Sequence, residues 1–361
     1  MRLDIARLHE DVSRLTGLTD FGDASYLEGL RVLAEAYESA GLTRLGASMK
    51  RSFLRGALTA RLFSEAAWRA NSEYQEVAVE RPLFVTGLPR TGTTALHRML
   101  VADPAHQGVE LWLADVPQPR PPRQTWSGHP IFQMLAQGYQ GSSEKLGKVH
   151  HVAADQVEEC WYLLRQSMMS VSFECLAFVP AYSAWLAGQD WTAAYARHRR
   201  NLQLIGLNDR GKRWVLKNPS HLFALDALMA VYPDALVIQT HRAPHEAIAS
   251  VCSLNARATE GWSTVFAGEV IGRDQLELWA RGLELFTRAR ARYDASQFVD
   301  VEYEELVADP SAVLRSIYGR LGRPVEHAVP MRRGAAEHEY SLEDFGLTRG
   351  QVEERFARIE R

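Results

Sequence analysis

Pro82-Leu83-Phe84-Val85-Thr86-Gly87-Leu88-Pro89-Arg90-Thr91-Gly92-Thr93-Thr94 starts as an apolar run of strand formers and ends at the head of a helix. Between the two sits a loop from Gly87 to Thr94, and the helical pattern runs on from Thr94 to Val101. A buried strand feeding a glycine loop that opens a helix is the setting in which free backbone N–H groups gather around an anion. Gly87 and Gly92 have the spacing of a P-loop, yet Thr93 stands where a nucleoside triphosphatase carries its lysine. Arg90 is the only cation inside the loop. Mg-triphosphate chemistry needs the missing lysine on the terminal phosphates. A less charged anion can be held without a metal, by one cation together with hydroxyl and backbone donors.

Outward from this loop the pattern repeats. Trp214 to Lys217, Leu236 to Thr240 and Phe298 to Tyr303 are short runs with apolar centres, as strands covered on both faces should be. Helical periodicity fills Leu222 to Val231, Glu246 to Leu254, Asp274 to Arg292 and Ser311 to Leu321. Such alternation predicts an α/β fold, a P-loop-like parallel sheet flanked by helices. Residues 1–80 carry three amphipathic helical segments and are expected to form an N-terminal helical cap. Residues 81–361 are expected to form the α/β domain, with 112–191 as an insertion. That insertion opens on a proline-rich loop, Val116 to Pro130, and continues into an aromatic, mostly helical stretch.

Composition narrows the function. Of 361 residues, 46% are hydrophobic and 24% charged, enough for a sizeable core and too apolar for a disordered chain. Forty-one Lys and Arg against forty-four Asp and Glu give a net charge of −3, so no global basic field exists to hold a nucleic-acid backbone. Cys160, Cys175 and Cys252 form no CxxC pair, which disfavours a disulfide framework or zinc ribbon and fits a reducing cytoplasm. The apolar stretch Val171 to Gly188 is interrupted by Glu174 and Pro180, so no transmembrane segment is expected.

Pro89-Arg90-Thr91-Gly92-Thr93-Thr94 resembles the 5′-phosphosulfate loop of sulfotransferases that use 3′-phosphoadenosine 5′-phosphosulfate (PAPS). The resemblance extends from about Arg81 to the C-terminus. A second family element is a strand ending in Arg, followed by a helix with Ser eight residues on; Arg242 and Ser250 match it, with Pro244 near the helix start. An arginine fork suits a phosphate monoester. By resemblance, Gly87, Arg90, Thr91, Gly92, Thr93 and Thr94 bind the 5′ side of PAPS, and Arg242 and Ser250 bind its 3′-phosphate. The resemblance also implies that Tyr303 lies by the adenine and that Arg332 or Arg333 closes on the 3′-phosphate. Tyr340 to Leu347 resembles the tail of a bacterial branch of the family. The implied activity is sulfuryl transfer to a hydroxyl or amine of a small, apolar acceptor such as an alcohol, phenol or lipid, with release of adenosine 3′,5′-bisphosphate and no metal.

In that reaction negative charge grows on the oxygen bridging phosphorus and sulfur, and fixed cations aimed there favour the transition state. Arg90 and Lys217 are the candidates, since Lys217 ends a strand where an open parallel sheet has its ligand crevice. His221 is the first candidate for the base, with His151, Glu159 and Glu110 as rivals. Trp161, Phe178, Tyr182 and Trp185 are candidate walls of the acceptor pocket. Two other readings stand beside this one: a P-loop nucleoside-triphosphate kinase, and a non-catalytic adenosine-bisphosphate-binding protein.

Overall fold

A computed structural model describes residues 3–146, 153–324 and 341–359, backbone only for 141–146. Five strands form one all-parallel sheet in the order β2-β3-β1-β4-β5: β1 (Leu83–Gly87), β2 (His106–Gln107), β3 (Arg213–Lys217), β4 (Leu236–His241) and β5 (Phe298–Glu302). The principal helices in chain order are α1 (Ile5–Thr16), α2 (Tyr26–Ser39), α3 (Arg44–Ala70), α4 (Thr93–Val101), α5 (Leu111–Asp115), α6 (Pro130–Leu146) and α7 (Trp161–Leu164). They continue with α8 (Pro180–Ala187), α9 (Thr192–Ile205), α10 (Leu225–Val231), α11 (Pro244–Ala258), α12 (Glu269–Arg290), α13 (Tyr303–Ala308), α14 (Pro310–Arg320) and α15 (Arg349–Ala357).

The chain folds into two compact units, neither of them contiguous. One gathers residues 1–78, 109–210 and 255–267; the other gathers 79–108, 211–254 and 268–361. The expected cap and the expected insertion therefore belong together in a helical unit, rather than standing as a cap and an elaboration of the α/β domain. Sequence periodicity marks helices but not which later segment covers their apolar faces. Within this unit α3 is central: its fully buried Arg61 donates to the carbonyls of Phe21, Asp23 and Gln166, and Thr43, at its N-cap, bonds the backbone of Trp262.

The second unit holds the whole sheet. β1 is buried along its entire length. Leu83, Val85, Val215, Ile238, Val299 and Val301 pack with Leu96 and Leu100 of α4 and with Leu306, Leu314 and Ile317 of α13 and α14 in one core. Phe84, between those residues in the strand, points to the opposite face by the two-residue period and meets Tyr232, 5.1 Å between ring centroids. Each buried aliphatic side chain of this kind contributes about 1.5–3 kcal/mol. Because β1 lies between β3 and β4, the strand order reverses there. Parallel α/β sheets open their ligand crevice at the carboxyl ends of the strands at such a reversal.

Candidate functional site

The β1–α4 loop sits at that opening, and its backbone is held in a form that few residues adopt. Gly87 has φ 141° and Gly92 has φ 87°, and Arg90, not a glycine, has φ 71°. Both glycines are also sterically required. A Cβ on Gly87 would lie 2.4 Å from the Thr240 carbonyl oxygen, and one on Gly92 would lie 2.9 Å from Leu306 and 3.1 Å from the Tyr303 ring. Gly92 caps α4 with no side-chain acceptor, so the first N–H groups of that helix are left for a ligand or water. Thr91 holds the turn: its hydroxyl is 2.6 Å from the Leu88 carbonyl and 2.5 Å from the Thr240 hydroxyl, and the side chain is fully buried. Thr93 is buried at the helix start, while Thr94 is half-buried.

On one side of the loop stands Lys217, the last residue of β3. Its Nζ lies 3.2 Å from Thr94 Oγ1 although the residue is 2% exposed. Asn218 follows, fully buried. Its Oδ1 caps the next turn by accepting from the Ser220 N–H at 3.0 Å, and its Nδ2 has no partner. A buried amide donor left open costs about 1–3 kcal/mol, which an anion bound beside it would offset. His221 was expected near the reacting groups as a base. It has no exposed surface, and its ring packs edge-on against Phe84 with centroids 5.0 Å apart.

On the other side of the loop, at the ends of β4 and β5, two arginines converge. Arg90 Nε donates to Ser250 Oγ at 3.0 Å, across 160 positions of sequence. Arg242 Nη1 donates to the Arg90 carbonyl at 3.1 Å. Its Nε and Nη2 both reach Glu246 Oε2, at 2.8 and 2.6 Å, and its guanidinium lies 4.4 Å above the Tyr303 ring. Arg90, Arg242, Ser250 and Tyr303 thus form one cluster. Arg90 faces this cluster rather than the Lys217 side, to which the sequence had also assigned it. Glu246 was not picked out from sequence; the signal was there, a carboxylate four residues after Arg242 across the start of α11.

The remaining candidates lie in the helical unit or outside the described residues. Glu110 is buried, 3.1 Å from Arg120, which also holds Asp209 at 2.9 Å; burial pushes the Glu110 carboxyl up, and Arg120 opposes that shift. Glu159 is half-buried. Tyr182 is fully buried, and its hydroxyl donates to the Met168 carbonyl at 2.7 Å. Trp185 packs over Gly29, where a Cβ would lie 2.7 Å from the indole. Phe178 and Trp161 keep part of their surface. His151, Arg332 and Arg333 lie outside the described residues. Among the described residues no group of three His, Cys, Asp or Glu is placed to hold a metal, and no helix is long and apolar enough to cross a membrane.

Comparison with known proteins identifies the family. The Sulfotransferase family matches residues 82–327. The crystal structure of sulfotransferase STF1 from Mycobacterium tuberculosis H37Rv superposes with a TM-score of 0.93 at 55% identity, over 99% of each chain. That of STF9 from Mycobacterium avium gives 0.87 at 26% identity, over 98% of this chain and 95% of the other. The omega-hydroxy-beta-dihydromenaquinone-9 sulfotransferase Stf3 of Mycobacterium tuberculosis is 24% identical over 309 residues, 79% of this chain and 75% of its own. A strained glycine loop, a buried lysine beside it and paired arginines at the sheet's switch point are thus set in a chain that belongs to the sulfotransferase family.

Proposed function

We propose that the donor is PAPS and that the acceptor is a hydroxyl on an apolar small molecule. The acceptor oxygen attacks sulfur, the bond from sulfur to the bridging oxygen breaks, and adenosine 3′,5′-bisphosphate leaves. The acceptor's proton passes to a base or to water. In this reading the loop N–H groups, with Thr93 and Thr94, take the 5′ side. Lys217, beside Thr94, meets the charge that grows on the bridging oxygen. Arg90, Arg242 and Ser250 take the 3′-phosphate, with Tyr303 under Arg242. Arg90 therefore acts in nucleotide binding rather than at the leaving group. His221, buried against Phe84, positions the end of β3 and does not touch the acceptor.

The observation that carries this reading is the convergence of Arg90, Arg242 and Ser250. Two guanidinium groups and a buried hydroxyl gathered at one spot suit a second phosphate, which PAPS has and a nucleoside triphosphate lacks. Thr93 in the lysine position also weighs against a kinase. Lys217 has no task in a protein that only binds the bisphosphate. The name of the mycobacterial relative, a sulfotransferase of a hydroxylated dihydromenaquinone, supports an apolar hydroxyl acceptor. Three buried cysteines, none in a disulfide, support a reducing cytoplasm.

Titration calorimetry with adenosine 3′,5′-bisphosphate and with adenosine 5′-monophosphate tests the reading. The bisphosphate is expected to bind at least roughly tenfold tighter, and Arg242→Ala to abolish most of that difference. Equal affinity for the two nucleotides would overturn the assignment. Label transfer from sulfur-labelled PAPS to added alcohols then separates an enzyme from a binding protein.

A further inference from the structure

Thr240 clamps the β1–α4 loop and Arg242 reaches into the arginine cluster, but His241, between them, has no role above. Side chains alternate along a strand, so Thr240 faces one side of the sheet while Gln239 and His241 face the other. On the first side the Thr240 hydroxyl lies 2.5 Å from that of Thr91 and donates to the Thr86 carbonyl at 3.2 Å.

On the other side one carboxylate gathers three partners. Asp300 of β5 is the register partner of Gln239. Its Oδ1 lies 2.8 Å from His241 Nε2, and its two oxygens accept from Arg290 Nη1 and Nη2, each at 2.6 Å. A carboxylate only accepts, so His241 Nε2 carries the proton of that bond. Arg290 Nη1 also donates to Gln239 Oε1 at 2.8 Å, and its guanidinium lies 4.8 Å from the Phe298 ring centroid. Arg290 stands in the last turn of α12, where a cation complements the helix dipole. Hydrogen bonds from Arg290 and then His241 hold the Asp300 carboxyl well below the usual carboxylate range, so it stays ionised at neutral pH.

Folding gains little from such a network. The Asp300 side chain is 47% exposed, that of His241 34% and that of Arg290 28%, and ion pairs this open to water are weak. What the network does fix is the end of β4. The β4–β5 register stops at His241 and Glu302, and Arg242 is the next residue. We infer that His241, Asp300 and Arg290 are positioning residues, which hold the last residue of β4 so that the Arg242 guanidinium stands ready for a phosphate. This deepens the PAPS reading and rests on it for the phosphate; the grip on β4 is a property of the free protein.

The test has two arms, both on the full chain. In the first, hydrogen exchange is followed without nucleotide. Asp300→Ala is expected to speed exchange several-fold in the peptide spanning Thr240 to Arg242 and to leave the urea midpoint nearly unchanged. In the second, adenosine 3′,5′-bisphosphate and adenosine 5′-monophosphate are titrated by calorimetry. Asp300→Ala is expected to cut the preference for the bisphosphate roughly fivefold or more, His241→Leu to do the same, and His241→Gln, which keeps a donor, to retain most of it. Wild-type exchange in Asp300→Ala would overturn the inference. So would a large fall in the urea midpoint with faster exchange throughout the chain, the mark of a structural brace. Should Asp300→Ala fail to fold, His241→Leu against His241→Gln decides, and equal preferences overturn the inference. Equal wild-type affinities for the two nucleotides would sink the PAPS reading and, with it, the purpose assigned to the network. A wild-type preference that the variants leave intact would sink the network's role alone.

Discussion

Arg242 has every guanidinium nitrogen engaged before a nucleotide arrives: two on Glu246 and one on the Arg90 carbonyl. An incoming 3′-phosphate must compete with the Glu246 carboxylate for the same fork. Glu246→Gln removes the competing charge, and its half-exposed position limits the gain to about 1 kcal/mol. Adenosine 3′,5′-bisphosphate is expected to bind a few-fold tighter to Glu246→Gln, which also slows product release. Unchanged affinity in calorimetry would mean that the carboxylate does not oppose the phosphate. Lys217 has the opposite signature. Lys217→Ala is expected to lower kcat by roughly a hundredfold or more and to leave the KM for PAPS within a few-fold, since a cation aimed at developing charge acts mainly in the transition state. A variant with wild-type turnover would clear Lys217 of the role. His221 is separated from the proton step by its pH profile. Replacing it with Asn is expected to lower activity while leaving the acid limb of kcat/KM in place; loss of that limb would restore His221 as a base.

At the scale of elements, the strand–loop–helix unit from Leu83 to Val101 was legible because its physics is local. An apolar strand, two glycines and a helix start follow one another without help from distant chain. β3, β4 and β5 fall within a residue or so of the sequence reading for the same reason: short runs bounded by turns, β3 and β4 buried nearly throughout, and β5 at the sheet edge exposing Asp300 and Glu302. β2 was not legible, because two residues, His106 and Gln107, show no period. Contacts between elements were equally invisible. Nothing in the sequence tells that Thr240 clamps Thr91, that the Arg90 side chain swings to Ser250, or that Gly272 of α12 must be glycine because a Cβ would lie 2.1 Å from the Phe345 carbonyl. The loop itself gives a sharp test. Gly87→Ala combines a forbidden φ with a backbone clash, and is expected to cost about 1–3 kcal/mol or more and to abolish bisphosphate binding. A variant with the wild-type urea midpoint and affinity would show that the loop has another low-energy form.

At the scale of the molecule, each unit buries a neutral histidine. His97 donates from Nε2 to the Val215 carbonyl at 3.1 Å, and burial, helped by the Lys217 charge, drives it down to about 3. Burial alone drives His198 down to about 3. Below about 6.5, their ordinary value, the unfolded chain takes up protons at both imidazoles while the folded chain does not. Their contribution to stability is therefore complete above that pH and lost progressively as pH falls toward 3. The urea midpoint is expected to be clearly lower at pH 5 than at pH 7.5; equal midpoints would show that both rings protonate inside the fold. The Asp115 carboxyl, which accepts from the Tyr139 hydroxyl, runs the other way: burial raises it from 3.8 to about 6, so its contribution is full below 3.8 and lost as pH climbs through about 6.

The interleaving of the two units has a consequence for synthesis. The helical unit lacks its last segment until residue 267 has left the ribosome, and the sheet lacks its edge until β5 at Phe298–Glu302 has followed. The nascent polypeptide must therefore carry incomplete apolar surface until Ala267 and then Glu302 have emerged. Its yield in a cell should depend on holding chaperones more than on the stability of the finished product.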